Sequence, residues 1–442
     1  MKMHFKKLIL LSVCSLVAIS APHSSRAVSL QELLPEILEN HERIQSKKYA
    51  LEAAREDIEV RLGDWYPTVD LSSDFGREMQ NKPSGSDDTY LNYKQASLEI
   101  TQLITDFGVT SAAVDTAKLK FDRAKLSYFS ERQDLLSDAV TAYVDVIGAW
   151  KVSKFAQQSE ENIRNQTGLE EVRVSVGGGL TTDVLQSKSQ LAGAQTRRIR
   201  ADGKLNKAIN HFETIFDFSP DDVQSFEEFS LPFDVKYEEQ SDFETVRNGN
   251  FKIQISENKV EAAKAKVRSR KAGSFRPRLE LSASMNAKDN VSGTAGVQTE
   301  ALWGVKATMP LNLGFTELNS IKSSRHKLNS EKMKLSTTYR SVRKSYLNAL
   351  QEVRTSRQTL ESLEFQVGIA ENFLKLSRQE RELGQRSLID VLSGETTLIN
   401  AQSDAEAAKT DLLKAIISLQ EIMGKLDVTL LSSAVISSEK VQ

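Results

Sequence analysis

The feature that most constrains the fold is an internal duplication at an offset of 207 residues. A stretch near the C-terminus, at 378–402, reads RQERELGQRSLIDVLSGETTLINAQ and has an earlier counterpart at 172–195. Aligning Asp390 with Asp183 brings a glycine, a Val-Leu pair and an Ala-Gln pair into the same positions of both copies. In each copy a glycine interrupts a helical pattern that restarts at Asp-Val-Leu. The two stretches are therefore predicted to be the turns of two long helical hairpins.

Each half of the chain shows the same order of patterns before its hairpin turn. An amphipathic helix comes first, at about 30–62 and again at about 242–272. Two segments then alternate apolar and polar residues, which is typical of half-buried strands. A long helix follows in which every seventh residue is apolar, a pattern that favours coiled-coil packing. The predicted fold class is mixed α and β, mostly α, built from a duplicated helix–strand–strand–long helix–helix unit.

These patterns divide the chain into a leader, two repeats, a connector and a tail. The first repeat is predicted at 28–216 and the second at 241–424, with a connector at 217–240 and a tail at 425–442. The predicted strands are about 66–79, 89–104, 276–287 and 299–311, and the predicted hairpins are about 109–216, with its tip at 175–182, and about 315–424, with its tip at 382–389.

Residues 1–27 have the features of a secretory signal peptide. Three lysines precede an apolar run at 8–19, and a Ser-Arg-Ala sequence ends at Ala27, where cleavage is expected. The single cysteine, Cys14, lies in the apolar run and leaves lipidation as the alternative to cleavage. A mature chain without cysteine suits an oxidising compartment, so we expect the protein to be exported.

Composition excludes several classes of protein. Apolar residues make up 39% of 442 residues, which is too few for a polytopic helical membrane protein. The net charge of −2 gives no overall positive potential that would attract nucleic acid. His41, His211 and His326 lie far apart on polar helical faces, so no metal or catalytic cluster is predicted. We therefore expect no enzyme activity and no cofactor.

The lengths of the predicted elements limit the architecture further. A helix over about 316–380 would be roughly 100 Å long, which suits a crossing of the periplasm better than a compact domain. Strands of about 10 to 13 residues with one apolar and one polar face suit a tilted outer-membrane strand. Four strands leave two open edges, which lipid does not tolerate. Copies must therefore share a barrel, and three copies give twelve strands around a water-filled lumen.

Several motifs recur at the boundaries of the predicted elements. They are Ser29-Leu30, the strand-entry prolines Pro67 and Pro277, QLITDFG at 102–108, PLNLG at 310–314 and the two hairpin tips. The tip at 383–402 is the most specific of them. On these motifs the chain resembles, over about 28–424, the TolC family of outer-membrane efflux and type I secretion channel proteins.

The resemblance implies an assembly as well as a fold. It implies a homotrimer in which a twelve-stranded outer-membrane β-barrel, seated in lipid, continues as a long α-helical periplasmic barrel. An equatorial collar is implied around the connector and the tail. Such proteins are the exit ducts of type I secretion or multidrug efflux systems of Gram-negative bacteria. Their partners are a periplasmic adaptor and an inner-membrane ABC or RND transporter.

The resemblance also implies a periplasmic gate at the tip, formed here by Asp390, Arg386 and Asp183. Three copies of Asp390 would make an acidic ring in a narrow pore. Equally, Ser387 and Asp390 have the spacing of a helix-capping box, so the aspartate has a structural alternative. Arg386 is expected to bond Asp183 on the other hairpin. Arg381 stands where some members have a gate-bracing tyrosine, so that contact does not transfer.

Two further sets of residues follow from the resemblance. The adaptor is expected to bind the tips at Gly177, Leu180, Leu383 and Gly384, although glycines required by a tight turn would look the same. Aromatic girdles of the barrel are expected to include Tyr90, Tyr93, Trp303 and Phe315.

The competing hypothesis is a periplasmic coiled-coil adaptor or scaffold of an export complex. An adaptor has one helical hairpin flanked by split lipoyl-like segments. This chain has two hairpins, each preceded by a pair of amphipathic strands, which favours the duct. The sequence does not identify the cargo, because protein secretion and small-molecule efflux use the same kind of tunnel.

Overall fold

The structure is a computed structural model in which the chain is mostly helical, with one small antiparallel sheet. This confirms the predicted fold class at that level. The predicted signal peptide at 1–27 lies outside the described residues, as do most of the predicted connector and tail. The described residues are 29–83, 87–220, 223–228, 242–274, 276–309 and 314–428.

The helices and strands are numbered in chain order. They are α1 (Leu30–Asn40), α2 (Glu42–Gly63), β1 (Thr68–Gln80), β2 (Thr89–Thr105), α3 (Val109–Ser175), α4 (Thr181–Phe216), α5 (Asp242–Gly249), α6 (Phe251–Ser274), β3 (Arg278–Asp289), β4 (Val297–Thr308), α7 (Thr316–Glu382) and α8 (Leu388–Ile422), with a short 3₁₀ turn at Val223–Ser225.

The helices α3 and α7 are the longest elements, with 67 residues each, or about 100 Å. The carboxylate of Asp106, which is buried, caps the start of α3 by accepting from the amides of Val109 (3.0 Å) and Thr110 (2.8 Å). A left-handed residue precedes each long helix, Gly108 (φ 103°) before α3 and Phe315 (φ 55°) before α7. Before α3, Phe107 is left-handed as well (φ 56°), so the change of direction from β2 to α3 is made over two residues.

Each predicted N-terminal helix proves to be two helices, which corrects the single helices expected at 30–62 and 242–272. His41 adopts an extended conformation and its Nδ1 accepts from the amide of Arg43 at 3.1 Å, which caps α2. Asn250 makes the equivalent corner, because its Oδ1 accepts from the amide of Ile253 (3.2 Å). Side-chain capping therefore replaces helix continuity at both corners.

The four strands form one antiparallel sheet in the order β1-β2-β3-β4. The segment that separates β2 from β3 in sequence contains the first hairpin, the connector, α5 and α6. The two strands nevertheless pair directly. β1 and β4 form the edges of the sheet, and each pairs on one side only within the described residues. The sheet is thus open along two edges.

The long helices pack as a layer in the order α4, α3, α8, α7. Nearer the sheet, α2 packs against α3, and α6 packs against both α3 and α7. Two apolar cores lie where these sets of helices overlap. One surrounds Tyr143 and Phe212 and joins α1, α3 and α4 with one residue each of α2 and α8, Ile44 and Ile417. The other surrounds Tyr346 and joins α5, α6, α7 and α8. A third, smaller cluster near the tips joins Ile163 with Leu388 and Leu392.

Two partly buried carboxylates lie between these cores. Burial raises the pKa of Glu421 on α8, and the nearby carboxylates of Asp134 and Asp138 raise it further. Burial likewise raises the pKa of Asp134, against the opposing effect of Lys252. Each ionised carboxylate is therefore less favourable in the fold than in the unfolded chain.

We expect Glu421→Gln to raise the thermal unfolding midpoint at pH 7.5, because it removes an ionised group whose folded-state pKa is raised. The difference from wild type should shrink as the pH falls toward 4, since wild-type Glu421 then takes up a proton and regains the lost stability. Glu364→Gln, at an exposed position on α7, is the control and should leave the midpoint unchanged. A lower midpoint for Glu421→Gln at pH 7.5 would contradict this account.

Candidate functional site

The turns at the two hairpin tips have the same backbone geometry. Gly177 and Gly384 both have left-handed conformations, with φ of 80° and 74°. In each turn the amide of the next residue donates back into the preceding helix, to the carbonyl of Arg173 (2.9 Å) or Glu380 (2.8 Å). A Cβ on either glycine would meet no atom within 4 Å, so backbone conformation and not crowding requires glycine here.

Apolar side chains project into solvent at both tips. Leu180 precedes α4 and Leu383 follows α7, and both are more than half exposed. Val176, beside the first turn, is exposed as well. The four predicted adaptor-binding residues therefore lie at accessible turns, two as backbone hinges and two as exposed apolar side chains.

Asp390 lies in the first turn of α8 and its side chain is exposed. Its amide donates to Ser387 Oγ at 3.2 Å, so the serine caps the helix as the sequence suggested. No ion pair involves the Asp390 carboxylate among the described residues. The serine accounts for the helix start, and the carboxylate remains available to solvent.

The resemblance implied a bond from Arg386 to Asp183 on the other hairpin. In the structure Arg386 bonds within its own hairpin. Its Nε lies 2.6 Å from Glu380 Oε2, and its Nη1 donates to Ser377 Oγ at 3.1 Å. The guanidinium also lies over the ring of Phe373, 5.3 Å from its centre. In this arrangement Arg386 supports the second tip turn and does not connect the two hairpins.

Arg381, and not Arg386, makes an ionic link between the hairpins near their tips. Its Nη2 lies 2.8 Å from Glu170 Oε2 on α3, while its Nη1 donates to the carbonyl of Arg386 in the tip turn at 3.3 Å. The side chain of Glu170 is 5% exposed and that of Arg381 is 23% exposed. One guanidinium therefore joins the second tip turn to the first long helix through a nearly buried carboxylate.

The contact between α3 of the first hairpin and α7 and α8 of the second, near the tips, is called the seam. A second buried carboxylate, Glu395 on α8, lies in it. It accepts from Arg378 on α7 (2.6 Å) and from the side-chain amide of Asn162 on α3 (2.6 Å). Both of its oxygens are thus satisfied, one from each hairpin. The hairpins meet near their tips through paired charges as well as through the apolar cluster around Ile163.

Sequence analysis missed these two carboxylates, although one of them left a signal. The apolar heptad of α3 runs through Ala149 and Ala156, and its next two positions are Ile163 and Glu170. A glutamate at a seam position is expected only if a cation lies opposite. The sequence does not show that this cation is Arg381, because the two residues lie on helices that are far apart in the chain.

The two faces of the sheet differ sharply in polarity. One face carries Val69, Leu71 and Phe75 on β1 and Trp303 on β4, and Phe75 and Trp303 are 84% and 82% exposed. Polar side chains line the other face, including Asp70 and Glu99, which the register places directly opposite each other. An exposed apolar surface backed by a polar one is typical of a strand between lipid and water.

The predicted aromatic residues divide between these faces. Tyr90 pairs with Met79 on the apolar face, which it shares with Trp303. Tyr93 lies on the polar face, where it pairs with Gly76 and its ring occupies the space of the missing Cβ. Phe315 is exposed at the start of α7. Tyr93 thus lies on the opposite face from Tyr90 and Trp303. The rings of Tyr66 and Phe107, near the strand ends, are exposed as well.

The described part of the chain holds no helix with an apolar stretch that could cross a bilayer. Within the same residues, no group of three histidine, cysteine or acidic side chains is placed to bind a metal. The features that remain are the amphipathic sheet and the charged seam at the hairpin tips.

We expect the two members of the Arg381–Glu170 pair to respond differently to truncation. Arg381→Leu leaves a buried carboxylate without a partner and should lower the free energy of unfolding by about 3 kcal/mol. Glu170→Leu places an apolar residue at a heptad position and leaves a cation that reaches water, so its cost should be below about 1 kcal/mol.

Denaturant titration of the purified protein measures both effects. The double variant should recover most of the loss seen in Arg381→Leu, because the unpaired carboxylate is gone. Arg340→Leu, on the exposed part of the same helix, is the control and should change stability by less than about 0.5 kcal/mol. Equal losses in Arg381→Leu and Arg340→Leu would show that the pair does not join the hairpins.

Comparison with known proteins agrees with this geometry. The model of the family described as outer membrane efflux protein matches residues 33–215 and 244–425, one match for each hairpin with its preceding elements. The outer membrane protein TolC of Escherichia coli K12 is 21% identical over 415 residues, which is 91% of this chain and 83% of that protein.

A further relative and a solved structure extend the comparison. The alkaline protease secretion protein AprF of Pseudomonas aeruginosa PAO1 is 24% identical over 309 residues, 67% of this chain and 63% of its own. The crystal structure of the Campylobacter jejuni CmeC outer membrane channel superposes with a TM-score of 0.78 at 15% identity, covering 93% of this chain and 89% of that one. With matches over both halves, the chain belongs to the outer membrane efflux protein family.

Proposed function

We propose that three copies of this chain form the outer-membrane exit duct of a type I secretion or multidrug efflux system. The duct passes substrates passively from a periplasmic gate at the hairpin tips to the cell exterior. The observation that carries this proposal is an amphipathic four-stranded sheet with two open edges, continuous with helices of 67 residues. Family membership supports the outer-membrane location and the transport role.

The open sheet edges support an assembly of several copies. β1 and β4 each have a row of backbone groups without a strand partner in the described chain, and their apolar face is exposed. In hydrocarbon each unsatisfied group costs several kcal/mol, so β1 of one copy must pair with β4 of the next. Three copies give twelve strands, which is wide enough for a water-filled lumen.

The helical layer has matching open edges. Because α3 and α8 pack together, α4 and α7 lie at the outer edges of the layer. The outer face of α7 carries an exposed apolar stripe at helical spacing, and α4 carries exposed leucine and isoleucine. These residues are Phe365, Ile369, Phe373 and Leu376 on α7, and Leu185 and Ile199 on α4.

The proposed gate combines an acidic ring with the charged seam. In a threefold assembly the exposed Asp390 carboxylates would face one another at the tip and attract cations. Arg381–Glu170 and the bonds of Glu395 hold α7 and α8 against α3 in each copy. Arg386 shapes the second tip turn, and Asp183, at the start of α4, is free to contribute charge to the same end.

The exposed tips support docking of a periplasmic adaptor. Leu180 and Leu383 offer apolar contacts beside turns whose backbone is fixed by Gly177 and Gly384. The adaptor would in turn connect the duct to an inner-membrane ABC or RND transporter. The name of AprF, an alkaline protease secretion protein, supports type I secretion as one of the two systems.

Single-channel recording in planar bilayers tests the duct directly. We expect the purified wild-type assembly to give small, cation-preferring openings. Asp390→Asn should weaken cation preference and block by divalent cations, because the ring loses its charge while the Ser387 cap is retained. Asp404→Asn, an exposed aspartate on α8 far from the tip, is the matched control and should conduct like wild type.

Disruption of the seam should change gating in the same recordings. Arg381→Leu is expected to raise the open probability by about tenfold, the effect of removing about 1.4 kcal/mol from one state. Folded assemblies that conduct in neither wild type nor Arg381→Leu would contradict the duct and favour a periplasmic scaffold.

A further inference from the structure

The end of α6 carries an unusual concentration of positive charge. Residues 264–278, where α6 ends and β3 begins, include seven lysines and arginines and no acidic residue. The corresponding stretch of the first repeat, 54–68, aligns through Pro67 and Pro277 and contains two arginines and four acidic residues. Both stretches lead a helix into a strand, and a helix C-terminus favours cations only in its last turn. The fold alone therefore does not require this charge.

The chain itself neutralises three of these seven cations. The ion pairs are Lys264–Glu261 (2.6 Å), Arg268–Asp115 (3.6 Å) and Arg278–Glu280 (2.5 Å). The other four are exposed and form no ion pair within the part of the chain that the structure describes. These four residues, Lys266, Arg270, Lys271 and Arg276, are called the basic patch. An exposed surface of one sign without a counter-charge attracts an anionic partner.

The basic patch lies where the amphipathic sheet gives way to the helices. Aromatic rings are exposed at the same strand–helix junctions, on Tyr66, Phe107 and Phe315. The guanidinium of Arg276 lies over the ring of Phe107, 5.8 Å from its centre, and its Nη1 donates to the Phe107 carbonyl at 3.3 Å. Exposed rings beside long cationic side chains are typical of the boundary between hydrocarbon and lipid headgroups.

Helix geometry gives the depth of the basic patch relative to the sheet. Arg270 and Lys271 lie about 6 Å and 5 Å along the axis before the end of α6 at Ser274, and Lys266 lies about 12 Å before it. The headgroup layer on each side of a bilayer is about 5 to 8 Å deep. With the sheet in the hydrocarbon, these cations therefore lie in the headgroup layer or within reach of it.

We propose that the basic patch binds the headgroups of anionic phospholipids, such as phosphatidylglycerol, in the leaflet on the helical side of the sheet. The inference rests on the proposed function, which places the sheet in the outer membrane and the helices in the periplasm. Phosphate oxygens would accept from the ammonium and guanidinium groups, while the acyl chains lie against the apolar face of the sheet. A soluble acidic partner would use the charge alone, so the adjoining apolar surface favours lipid.

The lipids that a purified assembly retains test this proposal. Protein is reconstituted into vesicles of equal phosphatidylglycerol and phosphatidylcholine, extracted in mild detergent and analysed by native mass spectrometry, which counts the bound lipids of each class. The two lipids are chosen with the same acyl chains and differ in the net charge of their headgroups. We expect the wild type to retain phosphatidylglycerol in about fivefold excess, because its headgroup alone is anionic.

Neutralising the basic patch should remove this preference. The variant Lys266→Gln/Arg270→Gln/Lys271→Gln is expected to lower the excess to below about twofold. Glutamine is a good helix former and the three side chains are exposed, so the fold should be retained. Arg276 is left unchanged because its side chain also contacts Phe107.

A matched control removes the same charge away from the membrane. Lys332→Gln/Arg340→Gln/Lys344→Gln changes two lysines and one arginine at exposed positions of α7. These positions lie about 24 to 42 Å along the axis from the start of α7, well beyond the headgroup layer. The control should keep the wild-type excess of phosphatidylglycerol.

A soluble headgroup distinguishes a lipid site from a site for free phosphate. Wild-type assemblies that carry phosphatidylglycerol are incubated with millimolar glycerol phosphate, which has the same phosphate but no acyl chain. It should not displace the lipid, because it gains nothing from the apolar face. Displacement would overturn the lipid site and indicate a ligand bound through its phosphate alone. Only wild-type protein is used, so this measurement does not depend on the folding of a variant.

Equal retention of the two lipids by the wild type, or an unchanged excess in the patch variant, would overturn the lipid site even if the protein conducts. Equal losses in the patch and control variants would also overturn it, because total charge would then select the lipid. Absence of conductance in the wild type would instead overturn the proposed duct, whichever lipids are retained. The two proposals therefore fail by different measurements.

Discussion

Unpaired backbone groups along β1 and β4 are the constraint on which the rest of the architecture depends. The sheet presents an apolar face with side chains such as Phe75 and Trp303 almost fully exposed, which is costly in water and favourable in lipid. Lipid in turn forbids an open edge, because an amide there has no other partner. Both demands are met together if copies join edge to edge, and the long helices then extend the shared barrel away from the membrane.

The helical part holds the two hairpins together through charged as well as apolar contacts. A seam of apolar heptads alone would bind the hairpins tightly along their whole length. Here Glu170 and Glu395 occupy that seam and are satisfied by Arg381, Arg378 and Asn162 from neighbouring helices. Buried ion pairs contribute little net stability but fix register. The seam therefore specifies the register in which the two hairpins meet.

The sequence predicted the long helices and amphipathic strands well, because their periods persist over many residues. Features that depend on a single residue were not predicted. The corners at His41 and Asn250, for example, depend on one capping side chain inside an otherwise helical pattern. Tyr93 was grouped with Tyr90, although an odd spacing within a strand places the two on opposite faces. The Arg381–Glu170 link joins residues 211 positions apart, and no local pattern reports which distant helices meet. Alignment with the family likewise does not reveal that Arg386 turns inward to Glu380.

The closure of the sheet by neighbouring copies is the central claim, and a cryo-electron microscopy structure of the protein in lipid nanodiscs tests it most directly. The account predicts twelve strands in a closed barrel, with β1 of each copy hydrogen-bonded to β4 of the next and Phe75 and Trp303 facing lipid. A single copy with both edges unpaired, or a sheet whose apolar face packs against a different domain, would contradict it.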